Sequence, residues 1–473
     1  MFNRLLTVVF LSAFSISEIC AQETTSPISL EQCIEIALAH NLNLKSAGLT
    51  TETEEIQFKR SQNALLPNVN ANYNLGLSNG RSIDPFTNGY VNEQLTFSNA
   101  GLTLEATVFK GFKLLNTIKQ NSLNKKASEM EFLEARQNLV LEVTLSFLQV
   151  LNTRELLKLA KSRVVTSAEQ LERLTKLNEE ETGDPAASRD FEGQVALDKS
   201  AVTDAQNSLS NAVIDLEVLL NNQLTIHPDN LVLLLEFEKQ EITAQKIYKE
   251  ALANLATVKA KELRLEAATK GVAVAKSAYS PQISLFANLG TNYSSAARVF
   301  DDAGSQVTET GDFVTVSGTD YAVFTEQTIF NANPIQYGNQ LENNLNSTAG
   351  VSVNVPLFNG FAAKNAVQLE KINKEQAEVD LEQTKLELSR TIQKAYNDRE
   401  AAFLRYKLVE DQEEAFEASF HINETRFNLG VSTSVDYIIS KNKLDNVRIN
   451  LANLKYEYVL RTQVLEYYRG NLN

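Results

Sequence analysis

The chain has 473 residues, 43% of them hydrophobic, with 18 Gly, 8 Pro and no Trp, and a formal net charge of −15. So few helix breakers in so long a chain favour long helices over a many-stranded sandwich or a disordered polymer. The acidic balance argues against nucleic acid as a partner, because phosphates demand an excess of cations. Two cysteines, Cys20 and Cys33, cannot build a disulfide framework, and His40, His227 and His421 carry no zinc-ligand spacing. No metal site and no cofactor is expected.

Arg4 precedes the apolar run Leu5 to Phe14, and Ala21 follows Cys20 as a small residue at a cleavage position. Residues 1–21 read as a secretory signal peptide, too short to cross a membrane as a helix. A lipoprotein reading of Cys20 is disfavoured by the bulky Ile19 before it. After cleavage Cys33 is a lone thiol in an oxidising compartment. No later run of 18 apolar residues exists, so no transmembrane helix is expected.

The sequence is written twice. An offset of 214 residues carries Ala37 onto Ala251, Pro67 onto Pro281 and Asn74-Leu75-Gly76 onto Asn288-Leu289-Gly290. Farther on the offset is 249, between Phe109-Lys110-Gly111-Phe112 and Phe358-Asn359-Gly360-Phe361. Gly183 and Gly430 are then 247 apart. So long a period indicates a duplicated half, not a solenoid. The expected copies are 22–234 and 235–473, each reading helix, strand, loop, strand, very long helix, glycine turn, helix. The second has a longer loop at about 294–347, rich in Gly, Asn, Thr and acids and expected to face outside.

Ser29-Leu30-Glu31-Gln32 is a capping-box pattern opening an amphipathic helix from Cys33 to Leu44. Beyond it come the strands. Val69, Ala71, Tyr73, Leu75 and Leu77 alternate with Asn68, Asn70, Asn72, Asn74 and Ser78. Leu102, Leu104, Ala106 and Val108 alternate with Thr103, Glu105 and Thr107. The second copy repeats this with Ile283, Leu285, Ala287, Leu289 and Tyr293, and with Val351, Val353, Val355 and Leu357. Period-two alternation gives each strand one apolar and one polar face. Half-buried strands of a soluble sheet and strands of an outer-membrane barrel share that pattern. In a secreted chain with long polar loops, the barrel reading places Val69, Tyr73, Leu75, Leu102, Leu104, Val108, Leu285, Leu289, Val351, Val353 and Val355 against lipid. Four strands cannot close, and an open edge in hydrocarbon leaves backbone groups unpaired. The chain must therefore oligomerise; three copies give twelve strands, and counting alone leaves a dimer open.

Between Gly111 and Gly183, and between Gly360 and Gly430, the chain reads as single helices of roughly 105 Å at about 1.5 Å per residue. Val143, Phe147, Val150, Leu157, Val164, Ala168 and Leu171 form a narrow stripe on the first. Ile392, Ala395, Ala402, Tyr406, Val409, Phe416, Phe420 and Phe427 do so on the second, interrupted by Arg399, Glu413 and Asn423. Three- and four-residue steps of this kind suit coiled-coil packing. Gly183 and Gly430 read as left-handed helix caps, Glu179-Glu180-Glu181 as a solvated run, and His227-Pro228-Asp229 as linker without a nucleophile motif beside it. No enzyme constellation is present.

Taken in order, these segments resemble the TolC-like family of outer-membrane efflux proteins over essentially the whole mature chain. The likeness rests on Ser29 to Leu38, on Leu66-Pro67 and Ser280-Pro281 before strands, on Val355-Pro356-Leu357-Phe358-Asn359-Gly360-Phe361, and on the turn Arg426 to Asp436. It implies an α+β membrane protein: an internally duplicated chain with four transmembrane β-strands, completing a trimeric twelve-stranded β-barrel continued by a long periplasmic α-helical coiled-coil tunnel. It also implies a homotrimer in outer-membrane lipid, docked through a periplasmic adaptor (membrane fusion) protein to an inner-membrane transporter. Docking would fall on the helix tips Gly183, Asp184, Pro185, Leu429, Gly430, Val431 and Ser432. An acid at the pore entrance would be Asp436, with Asp190 a looser equivalent in the first copy. A second acid one turn on would fall at Ile439, which cannot supply it, and the closing contacts of relatives would fall at Phe427 and Ser432. The exit of a protein-secretion machine and a secreted coiled-coil protein or adhesin without a pore are the competing readings.

Overall fold

The computed structural model describes residues 27–83, 88–92, 94–233 and 241–471. The signal-peptide assignment to 1–21, Cys20 with it, and the division between copies at 234/235 lie outside the described residues. In chain order the elements are β1 (Ile28–Ser29), α1 (Leu30–His40), α2 (Leu42–Asn63), β2 (Asn68–Ser78), β3 (Arg81–Ile83), β4 (Tyr90–Asn92), β5 (Leu95–Lys110), α3 (Lys113–Glu179) and α4 (Pro185–Leu219). There follow β6 (Leu231–Val232), α5 (Ala244–Asn254), α6 (Ala256–Lys276), β7 (Gln282–Ser294), β8 (Arg298–Val316), β9 (Thr319–Pro334), α7 (Tyr337–Asn343), β10 (Asn346–Asn354), α8 (Ala362–Asn428) and α9 (Ser434–Arg469). Two helices, a strand, a second strand, a 67-residue helix and its return arm thus occur twice in the same order.

The chain forms two compact units, and each draws on both copies. One comprises the described parts of Met1–Gly48, Glu131–Ala256 and Lys385–Asn473; the other is Leu49–Met130 and Thr257–Thr384.

The first unit is helical. Its entry helix α1 is set by the expected capping box: Ser29 Oγ accepts from Gln32 N at 3.3 Å while Ser29 N donates to Gln32 Oε1 at 3.1 Å. That start turns Cys33 and Ala37 inward, fully buried against Val143, Phe147 and Val150 of α3, Leu216 of α4 and Leu220 at its C-terminal cap, and Tyr456 and Val459 of α9. Burial pushes the Cys33 thiol up to about 11, so it is a packing residue and no nucleophile. In the second copy Thr243 caps α5, which buries Ile247 and Ala251 against Ile392, Ala395 and Leu465. The α3 seam departs from its expected stripe at one place: Ala168 is exposed and Ser167 is buried, because Ser167 donates to Asp198 of α4. Arg399 in the α8 seam is 1% exposed, paired with Glu400 at 2.8 Å and lying 5.2 Å from the Tyr396 ring centroid.

The second unit carries the sheet, antiparallel in the order β10-β7-β5-β2. Two corrections to the strand reading follow. The register shifts between Thr107 and Phe109, so Val108 falls in a bulge and Phe109 pairs with Ile283 on the apolar face. Strand β10 ends at Asn354, leaving Val355 beyond it, because Pro356 restricts the residue before it and has no N–H to continue a ladder.

The segment 294–347 is also not an irregular loop. Most of it is the long hairpin β8–β9, closed by Ser317-Gly318, both with left-handed backbone. A two-residue turn of that hand matches the twist of paired strands. Its root is fixed by Gln340, 1% exposed, whose amide accepts from Ser294 N at 3.0 Å and donates to Ser294 O at 3.0 Å and Ile335 O at 2.8 Å. Phe300, Phe313, Phe324 and Phe330 project from the hairpin, each more than half exposed.

At their other ends the strands pass into helices through matched turns. Gly111-Phe112 and Gly360-Phe361 both have positive φ, from 58° to 62°, and Phe109–Phe112 and Phe358–Phe361 form edge-on pairs 5.3 and 5.5 Å apart. A Cβ at Gly111 would lie 2.5 Å from Ser280 Cβ and 2.9 Å from Ser277 O, whereas at Gly360 nothing lies within 4 Å. Gly360→Ala should therefore carry only the left-handed penalty of about 1–2 kcal/mol, and Gly111→Ala should be the more destabilising of the two. Thermal unfolding of both variants checks the order; equal losses would contradict it.

Candidate functional site

The wall in the second unit is sorted by face. Cross-strand register places Val69 beside Leu104 and Ala287, Ala71 beside Leu102 and Leu289, and Leu285 beside Val351. These side chains share one side of the sheet. In one protomer Val69, Tyr73, Leu75, Leu102, Leu285, Leu289, Val351 and Val353 are 42–64% exposed, and Leu104 is half-buried. A half-buried soluble sheet would cover this face; most of it here is bare. The opposite face carries Asn70, Thr103, Glu105, Ser284, Asn288 and Ser352 around a hollow of about 430 Å³.

Aromatic groups mark both ends of the apolar face. At the hairpin end the Tyr337 hydroxyl meets Tyr73 Oη at 3.2 Å and Ser98 Oγ at 3.1 Å, with the Tyr293 ring 4.8 Å from that of Tyr337. At the helix end stand Phe109 and Phe112. From Tyr293 to Ile283, the partner of Phe109, is about 33 Å along the strand at roughly 3.3 Å per residue. A tilt of about 40° reduces that to about 25 Å, the height of an outer-membrane barrel's apolar band.

The helix tips belong to the first unit. In the second copy the turn after α8 has Gly430 at φ 72°, with Gly430 N donating to Phe427 O at 3.0 Å and Val431 N to Arg426 O at 2.9 Å. That is a left-handed cap, as expected. In the first copy the left-handed residue is Glu181 at φ 58°, not Gly183. Gly183 is required for another reason: a Cβ there would sit 2.7 Å from Asn178 N. Asp184 caps α4, accepting from Ala186 N at 2.9 Å, and Pro185 holds the first helical position. Leu429 and Val431 are 73% and 66% exposed at the outermost point of the second turn.

Asp436 closes a capping box with Thr433, accepting from its hydroxyl at 2.7 Å and its N–H at 3.3 Å, and from Ser432 Oγ at 3.3 Å. The Thr433 hydroxyl, then its N–H, hold this exposed carboxyl below its ordinary range. A lowered value keeps the negative charge as pH falls toward the usual carboxylate range. Asp190 accepts from Ser434 Oγ at 2.8 Å, tying α4 to α9. Phe427 packs with Phe191 and Tyr437, ring centroids 5.9 and 5.2 Å away, and Ile439 is half exposed.

Sequence reasoning missed two further features. Arg173 of α3 donates to Asn428 O at 3.0 Å, joining the two hairpins near their turns. Above them lies a buried charge cluster on three helices. Lys441 Nζ of α9 is 3.0 Å from Asp198 Oδ2 of α4 and 2.7 Å from Asp445 Oδ2. Arg163 of α3 lies 3.3 Å from both carboxylates. Gln194 donates to Asp198 Oδ1 at 2.9 Å, and Ser167 also donates to Asp198. Lys441 and Asp198 are 2% and 1% exposed. Burial raises the Asp198 carboxyl, but Ser167, Lys441 and Arg163 outweigh it and hold the group below its ordinary value. Removing one member of such a buried set costs about 3–5 kcal/mol, because its partner is left uncompensated. A depressed carboxyl contributes stability that is present above its unfolded value and lost only as pH falls through its folded value. Stability from this cluster should thus be unchanged between neutrality and about pH 5, and Asp198→Asn should lower the unfolding temperature across that range. A loss of cluster stability beginning near pH 6 would contradict the assignment.

Among the described residues no group of three or more His, Cys, Asp or Glu could hold a metal ion, and no helix is long and apolar enough to cross a membrane.

The sequence pattern of the outer membrane efflux protein family matches residues 33–222 and 247–471. The chain is 22% identical over 429 residues to outer membrane protein TolC of Vibrio cholerae, covering 87% of this chain and 84% of that protein. Its fold is similar to the Campylobacter jejuni CmeC outer membrane channel, with TM-score 0.75, 18% identity and coverage of 99% and 94% of the two chains. It is also similar to the outer membrane protein VceC of Vibrio cholerae, with TM-score 0.73, 15% identity and coverage of 93% and 96%. Channels of this kind are homotrimeric outer-membrane components of efflux systems. The chain belongs to the outer membrane efflux protein family: it is a TolC-like, α+β outer-membrane channel protein whose four-stranded sheet is a share of a β-barrel and whose helices extend into the periplasm.

Proposed function

We propose that this protein is the passive exit duct of a tripartite efflux or export assembly, conducting solutes from a periplasmic adaptor and an inner-membrane pump to the exterior. The observation that carries the reading is the open sheet. Among the described residues its edge strands β10 and β2 have no second neighbour, and its apolar face is largely bare. In hydrocarbon both defects vanish only if further copies close the cylinder. Three copies give twelve strands around a polar lumen, the arrangement the family supports.

In this reading the tips form the periplasmic entrance. Gly183, Asp184 and Pro185 of the first turn, with Leu429, Gly430, Val431 and Ser432 of the second, meet the adaptor, and the exposed Leu429 and Val431 supply its apolar contacts. Asp436, ionised at neutral pH, presents carboxylate at the constriction, one per copy, and Asp190 stands behind it bonded to Ser434. Charges held within a Debye length of a narrow path raise the local concentration of cations. The duct itself does no chemistry; the pump supplies the energy.

The purified protein in planar bilayers should conduct, and Asp436→Asn should lower its cation preference on the order of twofold at 0.1 M salt, where the Debye length is about 10 Å. Unchanged selectivity would remove Asp436 from the pore; absence of any conductance would remove the duct.

A further inference from the structure

The polar ties between the two helical hairpins differ sharply with height. Near the turns they are a forked pair from Arg173 to Asn428 O and Oδ1 and one bond from Ser434 to Asp190. The first is exposed and the second only partly buried. Seven residues beyond the start of α9, about 10 Å along its axis, two cations and two carboxylates interlock across three helices. There Gln194 Nε2 also donates to Asn442 Oδ1 at 3.2 Å and Asn442 Nδ2 to Gln194 Oε1 at 3.1 Å. To part the hairpins near their turns, three hydrogen bonds and the apolar contacts of Phe191 with Phe427 and Tyr437 must yield, and none of these leaves a charge unpaired. To part them at the cluster, four charges and two amides must lose partners together, with Lys441 and Asp198 almost wholly shielded from the water that could replace them.

We propose that Arg163, Asp198, Lys441 and Asp445 form a fixed joint that confines opening of the entrance to the segment below them. The turn 429–433 and the first two turns of α9 swing away from α3 and α4. Above Lys441 the three helices stay together. Lys441 and Asp198 are then positioning residues: they touch no cargo, and they set how much of the helix can move. Charge neutrality inside the cluster suits this role, since it adds no net field along the path. The inference rests on the reading of the tips as the entrance and goes beyond it by assigning the height at which the entrance bends.

The test uses full-length protein in lipid nanodiscs, with the tips loosened by Arg173→Ala and Ser434→Ala, and pulsed electron spin resonance between labels. One pair, Glu192→Cys with Ile439→Cys, lies below the cluster; the other, Thr203→Cys with Asn450→Cys, lies above it. All four sites are exposed, and the native Cys33 is fully buried. Loosening the tips should lengthen the lower distance by several ångströms and leave the upper one unchanged. Adding Lys441→Met should release the upper pair as well, and Lys441→Arg should hold it. Equal movement of both pairs with the cluster intact, no movement of either, or an upper pair indifferent to Lys441→Met would each overturn the joint. Failure of the duct reading shows separately, as absent conductance of the unmodified protein in bilayers.

Discussion

An unpaired strand edge cannot remain in hydrocarbon, where no water replaces the missing hydrogen bonds. Among the described residues strands β2 and β10 are such edges, and the face they border is Val, Leu and Tyr with little laid over it. Assembly and location are consequences of that single deficit. A chain with eight strands could close alone; this one uses its length for helices instead.

The duplication makes the deficit economical in sequence. Each copy supplies two strands and one hairpin of helices, and the turns joining strand to helix repeat down to the backbone, Gly111-Phe112 and Gly360-Phe361 sharing left-handed φ and an edge-on phenylalanine pair. The copies have diverged where their surroundings differ. Ser280 crowds Gly111 and nothing crowds Gly360. The turn after α3 has its left-handed residue at Glu181, while the turn of equal length after α8 uses Gly430. At Asp436 and Asp190 the result is two acids in unlike settings, one closing a capping box and one bonded across to Ser434.

Much of this was legible because it is local or periodic. Ser29 and Gln32 announce a capping box within four residues, and alternation from Val69 to Leu77 fixes which side chains share a face. Other features escaped for physical reasons. The polar residues of hairpin β8–β9 mask its pairing and give it the look of a loop; Ser317-Gly318 between Val314-Thr315-Val316 and Thr319-Asp320-Tyr321 is the available signal. Val108 was displaced by a bulge and Val355 by the proline after it, and neither offset disturbs the alternation itself. Gly183 looked like a cap but is dictated by Asn178. The charge cluster was invisible since Arg163, Asp198 and Lys441 lie on three helices and each alone resembles a solvated residue. Only packing makes them a unit.

Closing the cylinder with further protomers requires β2 of one to lie beside β10 of the next. Paired cysteines introduced at β2 and β10, treated with a short bifunctional thiol reagent in outer-membrane vesicles, measure this directly. A ladder of monomer, dimer and trimer ending at three is expected, with neither single cysteine passing the dimer. Monomer alone from the paired variant, in a water-soluble fraction, would contradict it.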